Sequence, residues 1–126
     1  MSTPDLPRPP VGTRAAGRRL WLAVVAEFEL AEHELVLLRE AVRLTDRLDV
    51  LDRTLRRDGL TVEGSKGQPR THPALTEARG CQLVLARVLA ALRMPAGDEE
   101  AARPQRRTIR GVYGVGGGPA RIRVVR

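Results

Sequence analysis

The chain has 126 residues, 42% of them hydrophobic, with a net charge of +7 and one cysteine. That length holds one domain with room for tails. A lone cysteine excludes an internal disulfide, and no apolar run approaches the ~18 residues that a membrane span requires.

Only Trp21, Phe28 and Tyr113 are aromatic, so the core must come mainly from Leu, Val and Ala. Such a core suits helix-on-helix packing better than a sandwich or barrel. It is also thin for a free-standing domain, and oligomerisation is one way to supplement it. The segment Met1-Ser2-Thr3-Pro4-Asp5 lacks the basic and apolar regions of a secretory signal, so an intracellular location is expected.

The distribution of charge says more than its total. Residues 1–20 carry four Arg and one Asp, residues 21–94 carry equal numbers of basic and acidic side chains, and residues 95–126 carry seven Arg and three acids. A neutral body with basic ends is the footprint of a polyanionic partner. Basic tails that only aid solubility are the competing explanation.

In chain order, Pro4, Pro7, Pro9 and Pro10 make 1–13 an extended, mobile arm. A first helix fits 14–28, with Thr13 as its cap. Leu20, Val24 and Phe28 form its apolar stripe, with Trp21 and Val25 beside it. Gly17 weakens the early turns, which places the stable start near Arg18. The strongest signal is 31–58. Leu37, Ala41, Leu44, Leu48, Leu51 and Leu55 alternate spacings of four and three, a heptad seam. Leu35, Leu38 and Val42 widen that seam at its start, which calls for a second packing partner there. Asp49 with Arg53 and Asp52 with Arg56 form i,i+4 pairs on the exposed side. Gly59 is placed for a left-handed cap.

Residues 60–72 break the helical period and read as a short β-hairpin or glycine-rich loop around Gly64-Ser65-Lys66-Gly67. Pro73 reads as the first residue of a further helix, with Thr71 or His72 at its cap. Its seam is Leu75, Ala78, Cys81, Leu85, Val88 and Leu92, and it ends near Arg93-Met94 before Pro95. Two long helices with a modest connection lie antiparallel. The expected fold is therefore mainly α. A long antiparallel helical hairpin follows a short helix, a small β-hairpin or loop joins the long helices, and the termini are flexible and basic. Residues 14–94 form the domain. Residues 95–126 are an Arg/Gly-rich tail with a short strand possible over Ile122–Val125, expected to order on a partner.

Catalytic and metal chemistry are hard to assemble from these residues. His72 and Cys81 show no CxxC or HxxxH spacing. His33 sits on the polar start of the long helix and reads as a surface residue. His72 reads as structural, satisfying backbone groups at a helix start. Asp46, Asp49 and Asp52 recur every third residue, but the interleaved Arg43, Arg47 and Arg53 favour a solvated ion-pair face over a metal cluster. The glycines at 114–118 are followed by neither Lys-Ser/Thr nor a helix, so they are no phosphate loop. No catalytic residue, metal or cofactor is assigned. A helical-bundle mutase would need arginines pointing into the core, and Arg43 and Arg47 fall off the leucine seam.

Candidate DNA contacts are Arg14, Arg18 and Arg19, which cluster at a helix start where backbone amides also favour phosphate. Arg106, Arg107 and Arg110 in the tail are the others. Tyr113 offers a stacking surface, and an uninvolved tail explains that region equally well. Assembly is assigned to Leu37, Leu44, Leu48, Leu51, Leu55, Leu85 and Leu92.

The succession Leu20-Trp21, Phe28-Glu29-Leu30, Glu34-Leu35, Asp46-Arg47-Leu48, Gly59-Leu60-Thr61-Val62, Gly67, His72-Pro73-Ala74 and a Leu-rich helix ending at Leu92 resembles the phage terminase small subunit family. The resemblance spans about 18–95, and its most specific part is the Gly-hydrophobe loop before His72-Pro73-Ala74. It implies a non-catalytic protein of the bacterial cytoplasm during phage assembly. Such a protein binds double-stranded viral DNA, forms a homo-oligomeric ring through its helical hairpin, and serves a large subunit carrying ATPase and nuclease. One departure stands out: the region before residue 31 is too short for a complete helix-turn-helix, which leaves the arm and first helix for DNA. The alternative is a small basic helical DNA-binding regulator of the antitoxin or repressor type, for which two-fold symmetry on a palindromic site is the mark.

Overall fold

A computed structural model describes residues 5–94. Expectations for 95–126, including Arg106, Arg107, Arg110, Tyr113 and the final strand, lie outside the described residues. In chain order the elements are α1 (Ala15–Glu27), α2 (Glu32–Asp58), β1 (Thr61–Glu63), β2 (Pro69–Thr71) and α3 (Pro73–Leu92). The mainly α hairpin architecture is as expected.

At 27 residues, α2 is ~40 Å long. At its start the Glu34 side chain accepts from the Ala31 N–H at 2.9 Å. Ala31 has no side-chain acceptor to reciprocate, so only half of a capping box exists. At its end the Gly59 N–H reaches the Leu55 carbonyl at 2.7 Å. Gly59 takes φ 83° with an extended ψ of 175°, a region open essentially to glycine alone. This differs from the expected left-handed cap, because the chain leaves α2 directly into β1.

β1 and β2 pair antiparallel in the register Thr61↔Thr71, Val62↔Arg70 and Glu63↔Pro69. The turn is closed by the Gly64 N–H donating to the Gln68 carbonyl at 2.7 Å, with Gly67 at φ 80°. His72 fastens the loop end of the hairpin. Its Nδ1 accepts from the Ala74 N–H at 2.9 Å, capping α3 with Pro73 as first helical residue. Its Nε2 lies 3.0 Å from the Asp58 carboxylate at the end of α2. Its backbone N–H donates to the Leu60 carbonyl. The structural role read for His72 is therefore realised, at three points. Arg57, and then His72, hold the Asp58 carboxyl well below its usual range by hydrogen bonding. A depressed carboxyl stabilises the fold above its unfolded pKa, and that stabilisation disappears as the pH falls through its folded value. The loop end thus begins to weaken as the pH falls below the ordinary carboxyl value of 3.8 and loses the whole contribution only in stronger acid.

The main core sits at the opposite, open end, where α1 packs against the start of α2 and the end of α3. Trp21, Val24, Val25, Phe28, Leu38, Val42 and Leu92 form one buried cluster, with Leu6, Leu20, Leu35, Leu89 and Met94 packed around it. The second packing partner anticipated from Leu35, Leu38 and Val42 is α1. Leu92, at the end of α3, shares this cluster with Leu38, near the start of α2, as antiparallel helices require. The Pro-rich arm forms no helix or strand over its described part, turns at Pro10–Thr13, and is tied down. The Trp21 indole N–H donates to the Pro7 carbonyl at 2.8 Å, and Leu6 joins the core.

Toward the loop the packing thins. α1 has 13 residues, ~20 Å, about half the length of α2. Beyond it only two helices face each other. Ala74, Ala78 and Cys81 are buried there, while Leu48, Leu51, Leu55, Leu75 and Leu85 remain half-buried. Cys81 is a free, buried thiol, as expected of a small hydrophobe.

At Gly17, α1 lies against α2 with no room for a side chain. A Cβ there would lie 2.7 Å from Val42 Cγ1 and 2.7 Å from an Asp46 carboxylate oxygen. Helix α1 accordingly begins at Ala15, before Gly17, and not at Arg18 as propensity suggested. Gly17→Ala should therefore destabilise the fold by about 1–3 kcal/mol despite its higher helix propensity. The check is a lower denaturant midpoint at unchanged slope; an equal or higher midpoint would refute the close approach.

Candidate nucleic-acid interface

Helix α1 has no local cap. Its N-cap residue is Arg14, no acid occupies its first turn, and no side chain adjacent in sequence accepts from its amides. The expected cap, Thr13, instead turns its hydroxyl back to donate to the Pro10 carbonyl at 2.6 Å. The orphan amides are met from α2. Asp46 accepts from the Arg14 N–H through Oδ2 and from the Gly17 N–H through Oδ1, both at 2.7 Å. A carboxylate at a helix N-terminus gains from the charge-assisted hydrogen bonds and from the helix dipole together.

This corrects two sequence expectations. The Asp46, Asp49, Asp52 series is not one solvated face: Asp49 and Asp52 pair with Arg53 and Arg56 at 3.1 and 2.9 Å, but Asp46 turns inward as a tertiary cap. Nor are the Arg14 and Gly17 amides at the start of α1 open to a phosphate, since an internal anion already holds them.

Beside Asp46 lies a cleft of about 310 Å³ between the Pro10–Arg14 turn and the middle of α2. Arg14 borders it from the turn, and Arg43 and Arg47 border it from α2. Arg43 is hydrogen-bonded to Glu40. Among the described residues no acid pairs with Arg14, Arg18, Arg19 or Arg47. Arg14, Arg18 and Arg19 are exposed on the first turns of α1, as the sequence suggested. The ion-pair face expected of Arg43 and Arg47 holds for Arg43, which pairs with Glu40, and not for Arg47. Their i,i+4 spacing on α2 signals only a shared face, and which neighbour they join depends on the fold.

The arginines of α2 in the loop half differ. Arg53, Arg56 and Arg57 each pair with an acid, Asp49, Asp52 and Asp58 respectively. Unpaired positive charge on α1 and α2 therefore gathers at the three-helix end. The leucines assigned to assembly also divide. Leu44 and Leu92 are buried inside the chain, so their packing is intramolecular, while Leu37, Leu48, Leu51, Leu55 and Leu85 keep part of their surface exposed. Among the described residues no group of three or more His, Cys, Asp or Glu gathers as a metal site, and no helix is long and apolar enough to cross a membrane. No protein-family model, curated protein or solved structure matches the chain.

Asp46→Ala should cost about 1–2 kcal/mol, the upper range for a lost helix cap. Asp49→Ala, which breaks an exposed pair, should stay within about 0.5 kcal/mol. Paired denaturation curves check the contrast, and equal effects would contradict the tertiary cap.

Proposed function

We propose that the chain is the non-catalytic small subunit of a viral DNA-packaging terminase. It binds double-stranded phage DNA, assembles into a ring and recruits the large ATPase-nuclease subunit, in the cytoplasm of the bacterial host. The observation that carries this reading is the asymmetry of the hairpin. One end is a filled three-helix core that bears the unpaired arginines of α1 and α2. The other is a two-helix extension whose leucines are covered on one side only. A half-covered heptad seam gains by packing against further helices, and copies of the same chain supply them symmetrically. The order of sequence features that resembles terminase small subunits points the same way.

In this reading the hairpin is an assembly element, and the basic end meets DNA. Binding to DNA weakens steeply with salt, because phosphate contacts release counterions. The test is native mass measurement of the full chain. A closed assembly of more than about four subunits is expected. A strict monomer would contradict the packaging role, and a two-fold dimer on a palindromic site would favour a transcriptional regulator.

A further inference from the structure

We infer that the cleft between the Pro10–Arg14 turn and the middle of α2 seats the phosphodiester backbone of duplex DNA, with Arg14, Arg43 and Arg47 as its contacts. This deepens the function proposed above and rests on it.

The two walls are held independently of any ligand. On one side the turn is closed by Thr13, whose N–H and hydroxyl both donate to the Pro10 carbonyl, and Gly12 adopts φ 87° to make it. On the other side Arg43 and Arg47 project from α2 one turn apart, about 5–6 Å between their Cβ atoms. Arg43 is ion-paired with Glu40, and the acid between the two arginines, Asp46, is engaged elsewhere. Both Asp46 oxygens accept from backbone amides of α1, so that carboxylate neutralises the end of a helix dipole. Arg14 and Arg47 have no acidic partner among the described residues.

The apolar rim suits a sugar-phosphate chain better than a free anion. Val11 is fully exposed at the mouth, at 106% of its reference area, and Val50 borders the cleft at 39%. Deoxyribose offers the apolar surface that such a rim covers, and much protein–DNA contact is to phosphate and sugar. The cleft reads no base sequence. It fixes where the duplex lies relative to the hairpin.

Arg14 takes part in the fold through its backbone N–H, which alanine retains, and among the described residues the Arg47 side chain makes no hydrogen bond or ion pair. The double variant Arg14→Ala/Arg47→Ala therefore keeps the structure. Its control is Arg53→Ala/Arg56→Ala, which removes the same charge from paired, exposed positions in the loop half. Affinity of each full-length protein for a short mixed-sequence duplex is followed against salt. The cleft variant should lose roughly tenfold in affinity, and its log–log salt slope should shrink by about 1.8, two phosphate contacts. The control should stay within about twofold of the parent. Inorganic phosphate at matched ionic strength should not displace the duplex. Equal losses in both variants, or none in the cleft variant while the parent binds DNA, would overturn the cleft as the site. Displacement by inorganic phosphate would mark it as a free-anion pocket and overturn it too. Failure of the parent to bind any DNA would overturn the functional reading itself and this inference with it.

Discussion

The three-helix end depends on the Asp46 carboxylate, which sits on α2 and closes the N-terminus of α1. Helix α1 is short, contains a glycine in its first turn, and carries arginine where a capping acceptor belongs. Isolated helices of 13 residues are marginal even with good caps. Here the cap comes from a residue 29 positions away from Gly17, so the helix is completed only when it lies on α2. The absence of a side chain at Gly17 is what allows that approach. Trp21, Val24, Val25 and Phe28 can then bury against Leu38, Val42 and Leu92. The Pro-rich arm follows, because its anchor at Pro7 is the Trp21 indole.

The same interaction sorts the charges. With Asp46 engaged by backbone amides, Arg43, three residues before it, pairs with Glu40, while Arg47 has no acid three or four residues away on α2. One turn further along α2, the pattern of acid then base yields ordinary surface pairs worth little individually. The neutral body inferred from composition thus has a polar organisation of its own. Among the described residues, the arginines at the start of α1 and Arg47 of α2 have no acidic partner and lie where the core is complete, alongside the Arg39–Glu32 and Arg43–Glu40 pairs; three further pairs lie where the leucines are half-buried.

Much of this was legible in the residues. The heptads on α2 and α3, the hairpin between them, the Pro73 start and the burial of Cys81 follow from period, turn chemistry and proline stereochemistry, all of which act within a few residues. The widened seam at Leu35, Leu38 and Val42 correctly called for another partner. What escaped was long-range. Asp46 looks like Asp49 and Asp52 in any local window, and only the packing of α1 distinguishes it. Gly17 reads as a helix weakness unless a neighbouring backbone is known to need the space. A buried Trp21 N–H demands an acceptor, but nothing local says that Pro7 supplies it. Leu44 and Leu92 share the spacing of the half-exposed leucines, and a periodic pattern cannot say which members a short third helix covers.

The proposed division between an assembling loop half and a DNA-binding three-helix end is tested most directly by hydrogen exchange on the full chain, with and without duplex DNA. Slowed exchange confined within the described residues to 10–18 and 43–50, with 52–85 unchanged, is the expected result. Protection by DNA centred on 52–85, with 10–18 and 43–50 unaffected, would contradict it.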